Sequence, residues 1–95
     1  MRERTIEQRL VDAVRKAGGL APKFTSPGMT GVPDRLVLLP KGRMAFVEVK
    51  SPGKKPRPVQ HLRKKQLESL GYQVFVLDSP EAINEILDQI GGDAP

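Results

Sequence analysis

The sequence predicts an α/β fold in which helices pack on a mixed central sheet, in the order helix, strand, strand, strand, helix, strand, helix. Three observations carry that prediction. An apolar stripe with helical spacing opens the chain. Two β-rich runs then face each other across a short Pro-Lys-Gly connection. Finally, a helical segment separates that pair from a last apolar run, as a crossover to a parallel neighbour requires.

The first helix is expected over residues 5–17, where Ile6, Leu10, Val14 and Ala17, with Ala13 beside them, line one face. Thr5 stands as its N-cap with Gln8 at capping-box spacing, and Gly18-Gly19 ends it. Leu20 to Phe24 reads as a short edge strand, since Pro22 argues against a central one. Residues 25–33, rich in Pro, Gly, Ser and Thr, read as a loop.

Arg35–Leu39 and Arg43–Lys50 read as an antiparallel hairpin turning through Pro40-Lys-Gly42. Alternation puts Val47 and Val49 on one face of the second strand and Phe46, Glu48 and Lys50 on the other. After a basic, proline-containing loop, Pro58 opens a helix to Leu70 with Val59, Leu62, Leu67 and Leu70 as its apolar positions. Tyr72–Leu77 reads as a strand buried on both faces. Asp78 or Ser79 caps a last helix whose stripe is Ala82, Ile83, Ile86, Leu87 and Ile90, and the chain frays from Gly91.

Ninety-five residues suit one domain spanning 1–95 with a thin core, to which dimerisation would add buried surface. Cysteine is absent, which excludes disulfides and thiolate metal sites. Oxygen ligands and the single histidine, His61, remain, and without a partner histidine His61 reads as a satisfied or solvent-facing residue. A formal charge of +5 favours a polyanionic partner. No apolar run reaches signal-peptide or membrane-span length, so a soluble, cytoplasmic protein is expected. Phe24, Phe46, Tyr72 and Phe75 read as core or strand residues, which argues against a stacking platform for single strands.

Glu48 and Lys50 are the sharpest anomaly, a carboxylate and an ammonium side by side on a strand that otherwise reads as core. Such a pair serves as a surface ion pair, as charges protecting a sheet edge, or as part of a site where a carboxylate holds a metal and a lysine faces a phosphate or water. Asp34 favours the third. It stands fourteen residues before Glu48, at the start of the preceding strand, so the hairpin returns the two carboxylates to one end of the sheet. Alone, Asp34 after Gly-Val-Pro also fits a turn. Two neighbouring carboxylates repel unless a cation neutralises them, and magnesium prefers hard oxygen ligands.

Gly31-Val-Pro-Asp34, Glu48-Val-Lys50 and Gln60 together resemble the PD-(D/E)xK nuclease superfamily and, within it, the VRR-NUC (virus-type replication-repair nuclease) family, over residues 5–77. The resemblance implies a restriction-endonuclease-like αβββαβ core with a mixed sheet, here followed by an extra C-terminal helix. It implies a catalytic set of Asp34, Glu48, Lys50 and Gln60. It also implies a Mg²⁺ (or Mn²⁺) site made by Asp34, Glu48, the Val49 carbonyl and Glu7, the last matching an acidic residue of the family's first helix. On their own merits, Glu7 also suits a helix start and Gln60 a cap. Lys54, Lys55 and Arg57 of the basic loop, Arg63 and Lys64 of the next helix, and Lys23 and Arg35 near the motif are candidate phosphate contacts or, more simply, solvated charges.

Compact members of this family, many from phages, are similar to Holliday-junction resolvases and act as homodimers. The resemblance therefore implies a metal-dependent endonuclease preferring branched DNA. A nicking, flap or restriction-like nuclease and a non-catalytic nucleic-acid-binding module are the alternatives.

Overall fold

The computed structural model describes residues 1–92. Its elements are α1 (Glu3–Lys16), β1 (Arg35–Leu38), β2 (Met44–Val49), α2 (Pro58–Ser69), β3 (Val74–Leu77) and α3 (Ile83–Gln89), with 3₁₀ turns at Pro40–Gly42 and Pro80–Ala82. The sheet order is β1-β2-β3, antiparallel between β1 and β2 and parallel between β2 and β3. This is the mixed α/β fold expected, with its strands in the expected sense.

The core lies on the face of β2 that carries Ala45, Val47 and Val49. Ile6, Leu10 and Val14 of α1 close on it from one direction, and Ile83, Ile86 and Ile90 from the last helical segment close from another. Burying each such aliphatic side chain contributes roughly 1.5–3 kcal/mol. Helical spacing therefore predicts the packing of α1 and α3, because their stripes supply most of the core.

Several local expectations are corrected. The helix α1 starts earlier than Thr5: the Arg2 carbonyl already accepts the Thr5 and Ile6 N–H groups. Thr5 is thus an exposed helical residue, no side chain caps the helix, and Gln8 Nε2 donates to Asp12 instead. Ala17 is the exposed C-cap, not part of the stripe.

The edge strand at 20–24 appears as two isolated bridges, Leu20 to Leu38 and Lys23 to Arg35. Pro22 lies between them. Its carbonyl accepts the Leu36 N–H, but it has no N–H to return the bond, so the ladder breaks there.

The apolar stripe of α2 does not enter the core. Leu62 and Leu70 are 54% and 72% exposed, while Gln60 is the helix's buried residue. The strand β3 is narrower and less covered than its composition suggests, since it forms the sheet's edge and Phe75 and Val76 are half-buried. No side chain of Asp78 or Ser79 caps the helix that follows. Gly91 is tied down: its N–H donates to Gln73 Oε1 at 2.7 Å, and Gln73 Nε2 donates to the Gln89 carbonyl at 3.1 Å. The expected fraying beyond Gly92 lies outside the described residues. Among those residues, no helix is long and apolar enough to cross a membrane.

Candidate active site

The hairpin brings the first two acidic residues together. In its register Arg35 lies opposite Val47, and one further step sets Asp34 across from Glu48. Asp34 stands just ahead of β1, where its carbonyl accepts the Phe24 N–H at 2.7 Å. Its side-chain Oδ2 accepts the Val49 N–H at 2.9 Å, so the carboxylate continues the β1–β2 ladder past the end of the strand. The N–H and carbonyl of one strand residue leave the same edge, so the Val49 carbonyl is directed toward that side as well.

Glu48 is only 4% exposed. One oxygen is heavily engaged: Oε2 accepts a hydrogen bond from Gln60 Nε2 at 2.8 Å and lies 3.5 Å from Lys50 Nζ. The other, Oε1, is buried without a hydrogen-bond donor. Asp34 approaches closely enough to share a proton with Glu48. Two ionised carboxylates have no donor between them, so a shared proton or a cation is needed to reconcile the pair. Burial, followed by the charge of Asp34 and that hydrogen bond, pushes the Glu48 carboxyl up to about 7, with Lys50 opposing the rise.

Gln60 has its amide orientation set at both ends. Its Oε1 accepts the Arg57 N–H at 2.8 Å at the start of α2, which leaves the Nε2 donor for Glu48. The capping contact weighed for this residue is therefore present, and its other end meets Glu48. Sequence patterning cannot show this coupling, because the Glu48–Gln60 bond joins a strand to a helix across a loop.

A second set of contacts, invisible to local pattern, holds the loop before Asp34 against α2. Gly31 has φ +79°, and a Cβ there would lie 2.7 Å from the Val59 carbonyl oxygen. The glycine of Gly-Val-Pro-Asp thus serves both a left-handed backbone and a close approach to α2. Arg63 Nε donates to the Thr30 carbonyl at 2.9 Å and fastens the same loop from the helix side.

The remaining candidates divide. Glu7 is paired with Arg35 (Nε to Oε2, 3.0 Å), and Arg35 also donates to the Ala21 carbonyl at 2.7 Å. Glu7 shares with Asp34 a cleft of about 300 Å³, lined also by Glu3, Lys23, Phe24 and Thr25. Among the described residues no three acidic or histidine side chains form a metal-binding group, so Glu7 borders the carboxylate pair without joining it. His61 is exposed beside Gln60.

Of the basic residues, Lys23, Lys54, Lys55 and Arg57 are exposed. Arg35, Arg63 and Lys64 have partners inside the fold, the last pairing with Glu68 at 3.1 Å.

An α/β sheet with an aspartate ahead of one hairpin strand and a Glu-x-Lys ending the next defines the PD-(D/E)xK class. A solved structure described as a VRR_NUC domain superposes on the chain with a TM-score of 0.86 at 32% identity, covering 92% of this chain and 95% of that one. The chain is also 57% identical over 81 residues to "Putative nuclease p44" of Acyrthosiphon pisum secondary endosymbiont phage 1, covering 85% of this chain and 87% of that protein. No family model matches. The chain belongs to the VRR-NUC family.

Proposed function

We propose that this protein is a divalent-cation-dependent endonuclease that hydrolyses DNA phosphodiester bonds, acting as a homodimer on branched or junction DNA. The observation that carries the reading is Glu48 Oε1, a buried oxygen without a donor, set beside a second carboxylate. The donor set suits Mg²⁺ or Mn²⁺: Asp34, Glu48 Oε1 and the Val49 carbonyl are hard oxygens at one end of the hairpin. Glu7, on the rim of the adjoining cleft, contributes through water.

When bound, the cation supplies a water of lowered pKa and positive charge against the phosphoryl oxygens. Asp34 and Glu48 hold that position, and Gln60 keeps Glu48 aimed by occupying its other oxygen. Lys50 donates hydrogen bonds to the attacking water and offsets negative charge as it grows on the phosphoryl group. The water gives up a proton as its oxygen bonds to phosphorus, one ester bond breaks, and the departing sugar oxygen takes up a proton.

Lys23 and the exposed Lys54, Lys55 and Arg57 hold the DNA backbone beside this centre. The relative named as a nuclease and the family fold support the chemistry. The exposed Leu62 and Leu70 of α2 and its C-terminal turn support a homodimer, being large apolar side chains left without a partner in one copy of so small a domain.

The test is cleavage of matched four-way junction, flap and linear duplex DNA with Mg²⁺ or with EDTA. Junction cutting at least tenfold faster than duplex cutting, and none in EDTA, is expected. Equal cutting of all three would defeat the structural preference, and DNA binding without metal-dependent scission would defeat the enzymatic reading.

A further inference from the structure

We propose that the end of the sheet opposite the carboxylates carries a second binding site for a DNA sugar–phosphate backbone, built around Lys41 and Arg43. The inference rests on the nuclease reading only in its choice of occupant.

The site is a cleft of about 540 Å³ lined by Lys41, Arg43, Met44, Tyr72, Gln73 and the glycines of three turns. No carboxylate lines it among the described residues, and two cations do. Its position follows from the register. Met44 begins β2 and Val49 ends it at Asp34, so the cleft and the carboxylate pair are separated by about 16 Å of strand.

The cations are placed with some care. Lys41 is the non-glycine residue with positive φ (67°) among those described, at a hairpin tip where glycine or asparagine would be less strained. Arg43 is held at two points. Its aliphatic stem packs so closely on Gly91 that a Cβ at residue 91 would lie 2.6 Å from Arg43 Cγ, and its Nε donates to the Pro40 carbonyl at 3.3 Å. The Gln73 amide clamps the end of the last helix beneath it through Gln89 and Gly91. Tyr72, half exposed, sits edge-on against Phe46 with ring centroids 5.9 Å apart, so one wall is fixed as well.

A cleft lined by two cations, with no carboxylate among the described residues, favours a polyanion. Because the cleft lies about 16 Å along the sheet from the carboxylates, a six-base-pair duplex centred on them, extending roughly 10 Å to either side at about 3.4 Å per base pair, does not reach it. A second arm of a branched DNA does. The cleft therefore discriminates between substrates by geometry while contributing nothing to the chemistry.

The test compares the wild type with a Lys41→Ala, Arg43→Gln double variant, the glutamine keeping part of the stem that covers Gly91. Binding is measured by fluorescence anisotropy in Ca²⁺, as a function of salt, on a long-armed four-way junction and on a six-base-pair hairpin duplex. Cutting of the duplex in Mg²⁺, circular dichroism and sedimentation are run beside it.

The expected result is junction affinity weakened about tenfold, with the log–log salt slope reduced by roughly 1.8, the loss of two phosphate contacts. Duplex affinity, duplex cutting, fold and mass should be unchanged. An unchanged junction affinity and slope would overturn the proposal. So would an equal loss on the short duplex, which would mark general electrostatics, or a change of mass, which would assign the cleft to contact between copies. A wild type that cuts no DNA would refute the nuclease reading while leaving the salt slope to decide on the cleft.

Discussion

Replacing Lys50 with alanine is expected to lower DNA cleavage by about 10²–10³-fold while leaving the fold in place. The reason lies in how the side chain is supported. Its ammonium is 3.5 Å from Glu48 Oε2, and that oxygen keeps its 2.8 Å bond from Gln60 when the lysine is removed. Nothing in the core depends on it, because the residues beneath the strand are Ala45, Val47 and Val49 on the opposite face. What is expected to be lost is the positive charge that the proposed mechanism sets against the reacting phosphate. Single-turnover cleavage in Mg²⁺, with thermal melting as the control, checks both halves. A variant that melts like the wild type and cuts at the wild-type rate would place the chemistry elsewhere.

The second large effect is a stability that runs against the usual pH trend. The Glu48 carboxyl is raised from 4.5 to about 7, first by burial and then by Asp34. A group with a folded pKa above its unfolded value binds its proton more tightly in the folded state. Its contribution is complete below about 4.5 and is lost as pH rises through about 7. The effect is on the order of 3 kcal/mol. Without divalent cation, the melting temperature should therefore fall between pH 5 and pH 8. Glu48→Gln, which keeps the shape and removes the ionisation, should flatten that fall. Mg²⁺ should stabilise the wild type more at pH 8 than at pH 5, because it replaces the proton between the carboxylates. Thermal melts of both proteins at the two pH values, with and without Mg²⁺, read this directly. A wild-type profile that matches Glu48→Gln throughout would mean that the pair is not strained.

The architecture was legible where periodicity reports burial. The stripes Ile6-Leu10-Val14 and Ile83-Ile86-Ile90 are core because an amphipathic helix on a small sheet has one place to put its apolar face. The hairpin's short connection set Asp34 opposite Glu48, and strand alternation separated Glu48 from Val47 and Val49. The same reasoning failed for α2, whose Leu62 and Leu70 look like part of a stripe and stay exposed while Leu67 is only half-buried. That helix turns Gln60 inward, where it donates to Glu48, and the apolar positions are left facing outward or half-buried. Capping expectations failed at Thr5, Asp78 and Ser79 because short polar residues mark helix starts only statistically, and here the carbonyls of neighbouring residues begin the turns.

The candidate site could be drawn from the sequence as a list of residues and only partly as a geometry. The clamp from Gln60, the pairing of Glu7 with Arg35, and the fastening of the loop by Gly31 and Arg63 all join residues distant in sequence. Local patterns carry no record of such contacts. The glycine before Pro-Asp was visible, but its need for a close approach to Val59 appears only once α2 is folded against the loop.

The central claim is that Asp34 and Glu48 form a pocket that takes a divalent cation in exchange for a proton. Calorimetric titration of Mn²⁺ into the wild type and Asp34→Ala at pH 6, in two buffers of different ionisation enthalpy, tests it most directly. The account predicts one saturable site in the wild type, with proton release seen as buffer-dependent heat, and loss of that site in the variant. Absence of saturable binding to the wild type, or binding that survives Asp34→Ala unchanged, would contradict it.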